Sequence, residues 1–210
     1  MTAPRRPPTG GQARADRSRQ AVIDETVRYI LQEGFAPPSI RQITERAGLT
    51  WGVVQYHFGD LDGILMALVD KGFGELLETL DALPAQAAAI PPERRPAFVV
   101  DAVWRAFSSP TSMAALEILI ATRGARTATA NAHLAAMTAR MTEIGQHLGA
   151  DMSPSRAGRL GNLIWSTIRG LVAVQLTWPE PLDSTRDRQM LVDVITAYLA
   201  ERTGDTRKRR

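Results

Sequence analysis

The side chains able to do chemistry are few. Cysteine is absent, and the three histidines, His57, His133 and His147, stand apart from one another. There is no Gly-rich phosphate loop, no His-x3-His pair and no Gly-x-Ser-x-Gly elbow. Disulfides, thiol catalysis and thiolate metal sites are therefore excluded, and neither an enzymatic activity nor a metal or cofactor is expected. What does concentrate is hydrogen-bonding capacity. Ser39, Arg41, Thr50, Trp51, Gly52, Val53, Gln55, Tyr56 and His57 fall close together, behind a stretch that carries Arg5, Arg6, Arg14, Arg17 and Arg19. Arg, Ser, Thr and Gln donate to phosphate oxygens, whereas Gln, Trp and Val can meet base edges or a thymine methyl. If one element presents these residues on a single face, the chemistry on offer is contact with phosphates and base edges.

Several of these residues also have a plainer use. Ser39 and Thr50 are well placed as helix caps, a role compatible with phosphate contact because helix N-termini present free N–H groups. His57 serves equally as a packed, hydrogen-bonded histidine, and Phe58 is expected in the core. Trp51 has no such easy alternative, because a large ring in the first turn of a short helix finds little to pack against. Gly52 would allow close approach of a backbone.

The elements that must position them follow from helical periodicity, with no convincing alternating strand pattern. Ala21, Val22, Thr26, Ile30 and Leu31 repeat at helix spacing from about Arg17 to Glu33, and Gly34 closes the segment. Pro37-Pro38 stops continuation. Ser39 then caps a short helix to about Arg46, Ala47-Gly48-Leu49 makes a tight turn, and Thr50 caps a second short helix from about Trp51 to His57. Two short helices joined by a Gly-containing turn, after a longer one, form a helix-turn-helix arrangement. Ile43, Ala47, Leu49 and Val54 are expected to pack so that the second helix presents its outer face to a major groove about 12 Å wide. Gly59 breaks that helix, and Asp60 caps a long one from Leu61 to about Leu83, followed by a connection over 84–92. Further helices are expected at about 93–108, 112–123, 127–148, 154–177 and 185–203. The fold class is all-α with about nine helices. The organisation expected is a flexible basic arm over 1–16, a helix-turn-helix DNA-binding domain over 17–60, a larger helical domain over 61–204, to which the resemblance given next assigns ligand binding and dimerisation, and a basic tail over 205–210.

Residues 17–68 resemble the TetR family. That family's Gly-aromatic, Ser/Thr-aliphatic-Arg and Ile-Ala…Ala-Gly-Val-Ser-x-Gly-Thr-Leu-Tyr-x-His-Phe-x-Ser-Lys-Glu-x-Leu pattern corresponds here to Gly34-Phe35, Ser39-Ile40-Arg41, Ile43-Thr44 and the run Ala47 to Leu65. The resemblance implies a homodimer that binds operator DNA and senses a small molecule, repression being the family's commoner mode. Two positions depart from the pattern. Gln55 stands where the family keeps a recognition-helix Tyr, with Tyr56 beside it, and Leu61 stands where it keeps a Lys. Both family residues commonly hold phosphates, so those contacts do not carry over. Residues 21–59 have three Arg against four acids. Phosphate attraction is therefore expected to shift to the basic N-terminal arm, with Arg14 and Arg17 among the contacts.

Charge and apolar pattern say what the rest could do. The formal net charge is +3, yet both ends are basic around a mildly acidic middle. Basic ends can seek phosphate or be plain solvated tails. No apolar run is long enough for a membrane span and the start lacks a signal-peptide pattern, so a cytoplasmic location is expected. A helix-turn-helix does not need a further ~150 residues in order to bind. Phe73, Leu77, Leu80, Trp104, Phe107, Leu116, Ile120, Met137, Met141 and Trp165 are candidates to line an effector cavity, because Met and aromatic side chains adapt to apolar ligands. The same residues serve equally as ordinary core. Glu117, Arg123, Asn131, His133, Asn162 and Arg169 are polar residues among apolar ones, candidate ligand anchors or ion-pair members. Leu160, Leu163, Ile164, Leu171, Val194 and Tyr198 on the last two helices are candidates for a two-fold dimer interface, or for closing the core of a monomer. A DNA-binding dimer without an effector is the competing functional reading.

Overall fold

The computed structural model describes residues 10–35, 38–125, 135–136, 139–140, 143–145, 148, 153–178 and 180–208. Among them the architecture is all-α. The helices are α1 (Gly10–Glu33), α2 (Ile40–Ala47), α3 (Trp51–Phe58), α4 (Leu61–Ala88), α5 (Arg95–Phe107), α6 (Pro110–Ala121), α7 (Pro154–Thr177) and α8 (Thr185–Lys208). Helical residues at 135–136, 139–140, 143–145 and 148 lie between α6 and α7. Among the described residues no helix is long and apolar enough to cross a membrane.

Local chemistry sets the boundaries around the short helices. α2 ends at Gly48, whose φ of 65° is left-handed, and the turn is closed by Leu49 N–H donating to the Thr44 carbonyl at 2.9 Å. α4 begins at Asp60, whose carboxylate accepts from Gly63 N–H at 2.9 Å. Val22, Ile43, Val54 and Ile64 then form a small cluster with no exposed surface, against which Leu49, Phe58 and Leu61 pack. Ala47 is half-buried outside it. Four side chains are too few to hold a unit on their own. The support comes from α1, which turns Val22 toward this cluster and Ile23, Val27 and Ile30 toward the main core. α4 does the same with Ile64 on one side and Leu65 and Leu68 on the other. The DNA-reading unit expected over 17–60 therefore shares two helices with everything after it.

Two boundaries differ from the sequence expectation. α1 starts at Gly10, seven residues before the expected Arg17, so residues 10–16 are helical. Ala13, Ala15 and Ser18 there are half-buried, and Ala15 and Ser18 face α3. α4 runs through Pro84 to Ala88 rather than ending at Leu83. The proline forfeits the bond to the carbonyl four residues back, but Leu83 and Ala87 on either side are almost fully buried and keep the helix on the core.

Candidate nucleic-acid interface

α3 is a helix with one side spoken for. Val54 is buried, and Trp51, Gly52, Gln55 and Tyr56 are exposed, Tyr56 to 82%. His57 is half-buried with its ring edge-on to Tyr56 at 5.0 Å between centroids. Ser39 and Thr50 stand at the N-cap positions of α2 and α3, but neither side chain bonds to its own helix. Both hydroxyls are exposed, so each helix start keeps free N–H groups and a free hydroxyl for an anion. Arg41 is exposed on α2 and pairs with Glu45 at 2.7 Å. Such a surface pair is easily exchanged for a phosphate.

The extension of α1 completes this face. Gly11, Arg14, Ala15 and Ser18 lie across an open groove from Thr50, Gly52, Val53, Tyr56 and His57. Of the two arginines expected to attract phosphate, Arg14 lines the groove beside α3, whereas Arg17 is exposed outside it. Sequence reading missed Gly11, Ala15 and Ser18, because two glycines at its head gave the extension no helix-start signal. Phe58, expected in the core, is half-buried with the Arg19 guanidinium 5.4 Å from its ring centre. Leu61, which cannot replace a phosphate-holding Lys, instead packs on both apolar clusters.

The candidate effector residues separate into groups. Phe73, Phe107, Leu116 and Trp165 come together, with Gly72, Leu76, Ser112, Ala115 and Arg169, around an apolar cavity of about 20 Å³. That is room for roughly one water molecule. Phe107 and Trp165 meet edge to face at 4.7 Å. Leu80 is buried in the core and Leu77 packs against it, neither lining the cavity. Trp104 lies under the Arg188 guanidinium at 5.0 Å, where α5 meets α8. Ile120 is 49% exposed, about 100° around α6 from buried Leu119, and does not line the cavity. Met137, Met141, Asn131, His133 and His147 lie outside the described residues. A larger hollow of about 360 Å³ between α4 and α5 is open to solvent and lined by Glu75, Thr79, Arg105 and Ser109 among others.

The dimer candidates also split. Leu160 and Ile164 are buried in the core of this chain and cannot form an interface. Tyr198 is half-buried, its hydroxyl accepting from Arg156 Nε at 3.0 Å, and Leu171 is half-buried. Leu163 and Val194 are exposed, as are Val174 on α7 and Met190 on α8.

Glu117, a candidate ligand anchor or ion-pair member, makes a hydrogen bond to backbone: from α6 its Oε1 accepts the Phe35 N–H at 2.6 Å, fastening the turn after α1 to α6. Burial pushes its carboxyl above the usual carboxylate range, and the Phe35 N–H opposes that shift only in part. A folded-state pKa above the unfolded one gives stability that is fully present in acid and lost as pH rises through the folded value. Glu117→Gln keeps an acceptor for Phe35 without a charge. Its melting temperature should therefore equal or exceed that of the parent at pH 8, and its stability should fall less between pH 4 and 8. A parent-like slope in calorimetry would remove Glu117 as the cause.

No family model matches the chain. Over 81 residues, 39% of this chain, it is 33% identical to the HTH-type transcriptional regulator BetI of Stenotrophomonas maltophilia, and the match spans 41% of that relative. A BetI of Paraburkholderia phytofirmans is 32% identical over 73 residues, 37% of its length. The matched part is thus about two fifths of the curated relatives. The fold, in contrast, is matched nearly throughout. The TetR-family transcriptional regulator PfmR of Thermus thermophilus superposes with a TM-score of 0.62 at 14% identity, covering 84% of this chain and 97% of its own. NalD, the secondary repressor of the MexAB-OprM multidrug efflux pump in Pseudomonas aeruginosa, gives 0.57 at 20% identity, covering 87% and 95%. The chain is thus similar to BetI regulators over about two fifths of its length, and it shares the fold of TetR-family regulators over nearly all of it.

Proposed function

We propose that this chain is a homodimeric transcriptional regulator, a repressor that leaves a pseudo-palindromic operator when a small, largely apolar effector binds its C-terminal domain. The observation that carries the DNA-binding part is the exposed outer face of α3, flanked by two uncapped helix starts and by Arg14 across the groove. Leu163 and Val174 on α7, with Met190 and Val194 on α8, give these two helices an apolar face that supports pairing with a second copy. Two-fold symmetry would set the recognition helices at half-sites about 34–36 Å apart.

The effector part rests on α6. Its Leu116 lines the apolar cavity and its Glu117 holds the turn before α2. A ligand that enters must push α6, and the push reaches the DNA-reading unit through that bond and through α4. The ligand need only favour the conformer that fits DNA less well, and the coupling is reciprocal, typically about 1–3 kcal/mol. A DNA-binding dimer without an effector remains a second reading, favoured by the small size of the cavity.

Selection of fragments from a random DNA pool, followed by a ligand-release screen on the recovered operator, tests both parts. Failure to enrich any sequence would sink the first, and release by no compound would favour the second reading. Trp51→Ala and Gln55→Ala should each weaken operator binding by about 1–3 kcal/mol, roughly five- to 150-fold, and flatten the sequence preference. Both side chains are exposed, so thermal melting should not move. Parent-like gel-shift titrations for both variants would overturn this assignment of α3.

A further inference from the structure

The cavity between α4, α6 and α7 is apolar apart from two groups. Ser112 is one of them, and its hydroxyl accepts from Ser109 Oγ at 3.0 Å. The other is Arg169. It is exposed one turn beyond Trp165, with its guanidinium carbon 5.6 Å from the centre of that ring, and it lines the cavity. Among the described residues it makes no ion pair. Arg105 and Arg188 pair with Asp101, Lys71 with Glu75, and Arg140 with Asp81 and Glu143, whereas Arg159 and Arg186, also without an ion pair among the described residues, do not line the cavity. An uncommitted guanidinium over an aromatic face, beside an otherwise apolar cleft, lacks only an anion.

We infer that the effector is an amphipathic organic anion, a carboxylate on an apolar alkyl or aryl body. The inference rests on the effector reading above and gives that site its ligand class. The body enters between Phe107 and Trp165, whose edge-to-face contact must open, and displaces half-buried Leu116 on α6. The carboxylate stays at the rim, where the planar guanidinium can take both oxygens while remaining stacked on Trp165. A cation of the same shape meets a like charge there. A neutral analogue keeps the apolar contact and loses the charged bond.

The test uses the full chain and five probes: octanoate, 4-phenylbutanoate, octan-1-ol, 4-phenylbutanamide and octylammonium. Calorimetry reads binding, and a gel shift on the selected operator reads release. Each carboxylate should bind about tenfold or more tighter than its neutral counterpart, the worth of one charge-assisted bond. Arg169→Gln should remove that advantage and leave the neutral probes within about twofold of the parent. Because Arg169 is exposed, the variant should melt like the parent, which the same samples check. Equal binding of charged and neutral probes overturns the inference, as does full carboxylate affinity in Arg169→Gln. If neutral or cationic probes bind and release operator, the anion falls and the effector reading stands. If no probe binds the parent, both fall. The alkyl and aryl arms distinguish a fatty-acid-like from an aromatic source.

Discussion

Arg46→Met should loosen the DNA-reading unit by about 3 kcal/mol, because it strands a buried carboxylate. Glu25 on α1 is 2% exposed, and Arg46 Nε at the end of α2 lies 2.5 Å from its Oε1. That oxygen accepts no hydrogen bond, so the ion contact is its compensation. Arg28 reaches the other oxygen at 2.6 Å from a largely exposed position, which keeps the loss at the low end of the range for a broken buried pair. Arg46 also donates to Gln32 Oε1 at 2.8 Å and lies over Tyr29 at 5.7 Å, so its removal detaches α2 from α1 in several places. For a chain of this length each kcal/mol lowers the melting temperature by about 2–4 °C, giving a fall of roughly 6–12 °C if unfolding is cooperative. Hydrogen exchange should speed up first over 40–58, since the local cluster is only four side chains, and operator affinity should fall with it. Glu25→Gln combined with Arg46→Met should recover part of the loss by removing the stranded charge. A single variant melting within about 2 °C of the parent would show that the ion pair carries little.

This ion pair marks a limit of what could be read from the chain alone. The helix-turn-helix was legible because its signals are local: a glycine at the left-handed turn, Asp60 at a cap, and Val54 alone facing inward on a short helix. Glu25 and Arg46 carry no signal that sets them apart from helix-surface charges, and Glu117 stands out only as a polar residue among apolar ones; the packing of α2 and α6 on α1 is what makes them fasteners. The same limit explains the dimer candidates. α7 is apolar over much of its circumference, and nothing in the sequence separates Leu160 and Ile164, which close this chain's own core, from Leu163 and Val174, which face outward. On α6, adjacent Leu119 and Ile120 likewise point to opposite environments. The start of α1 was hidden for a different reason. Gly10 and Gly11 are poor helix formers, and the extension is held by its contact with α3, a tertiary effect that overrides propensity.

Gly72→Val tests whether the α4–α6 contact is the lever that the proposed mechanism needs. At Gly72 a Cβ would stand 2.9 Å from Ala115 Cβ and 3.1 Å from the Thr111 carbonyl oxygen, so the two helices touch through the missing side chain. Ala115 is also a wall of the cavity. Valine adds two methyls beyond that Cβ and cannot be absorbed by a flexible neighbour, so α6 must move away from α4. Overpacking of this kind costs up to about 3 kcal/mol, and the better helix propensity of valine over glycine returns only a few tenths. Melting should fall by roughly 2–12 °C. The sharper consequence is functional. Spreading α4 from α6 imitates a ligand lodged between them, and it strains the bond from Glu117 to Phe35. Operator affinity should drop by about five- to 150-fold at a temperature where the variant is still fully folded, the range of a typical coupling energy. The residual complex should respond less to any effector, because the displacement that the effector would drive has already been made. A variant that melts lower yet binds operator and responds to effector like the parent would separate the packing of α6 on α4 from the reading of DNA, and would leave the shared helices α1 and α4 to connect them.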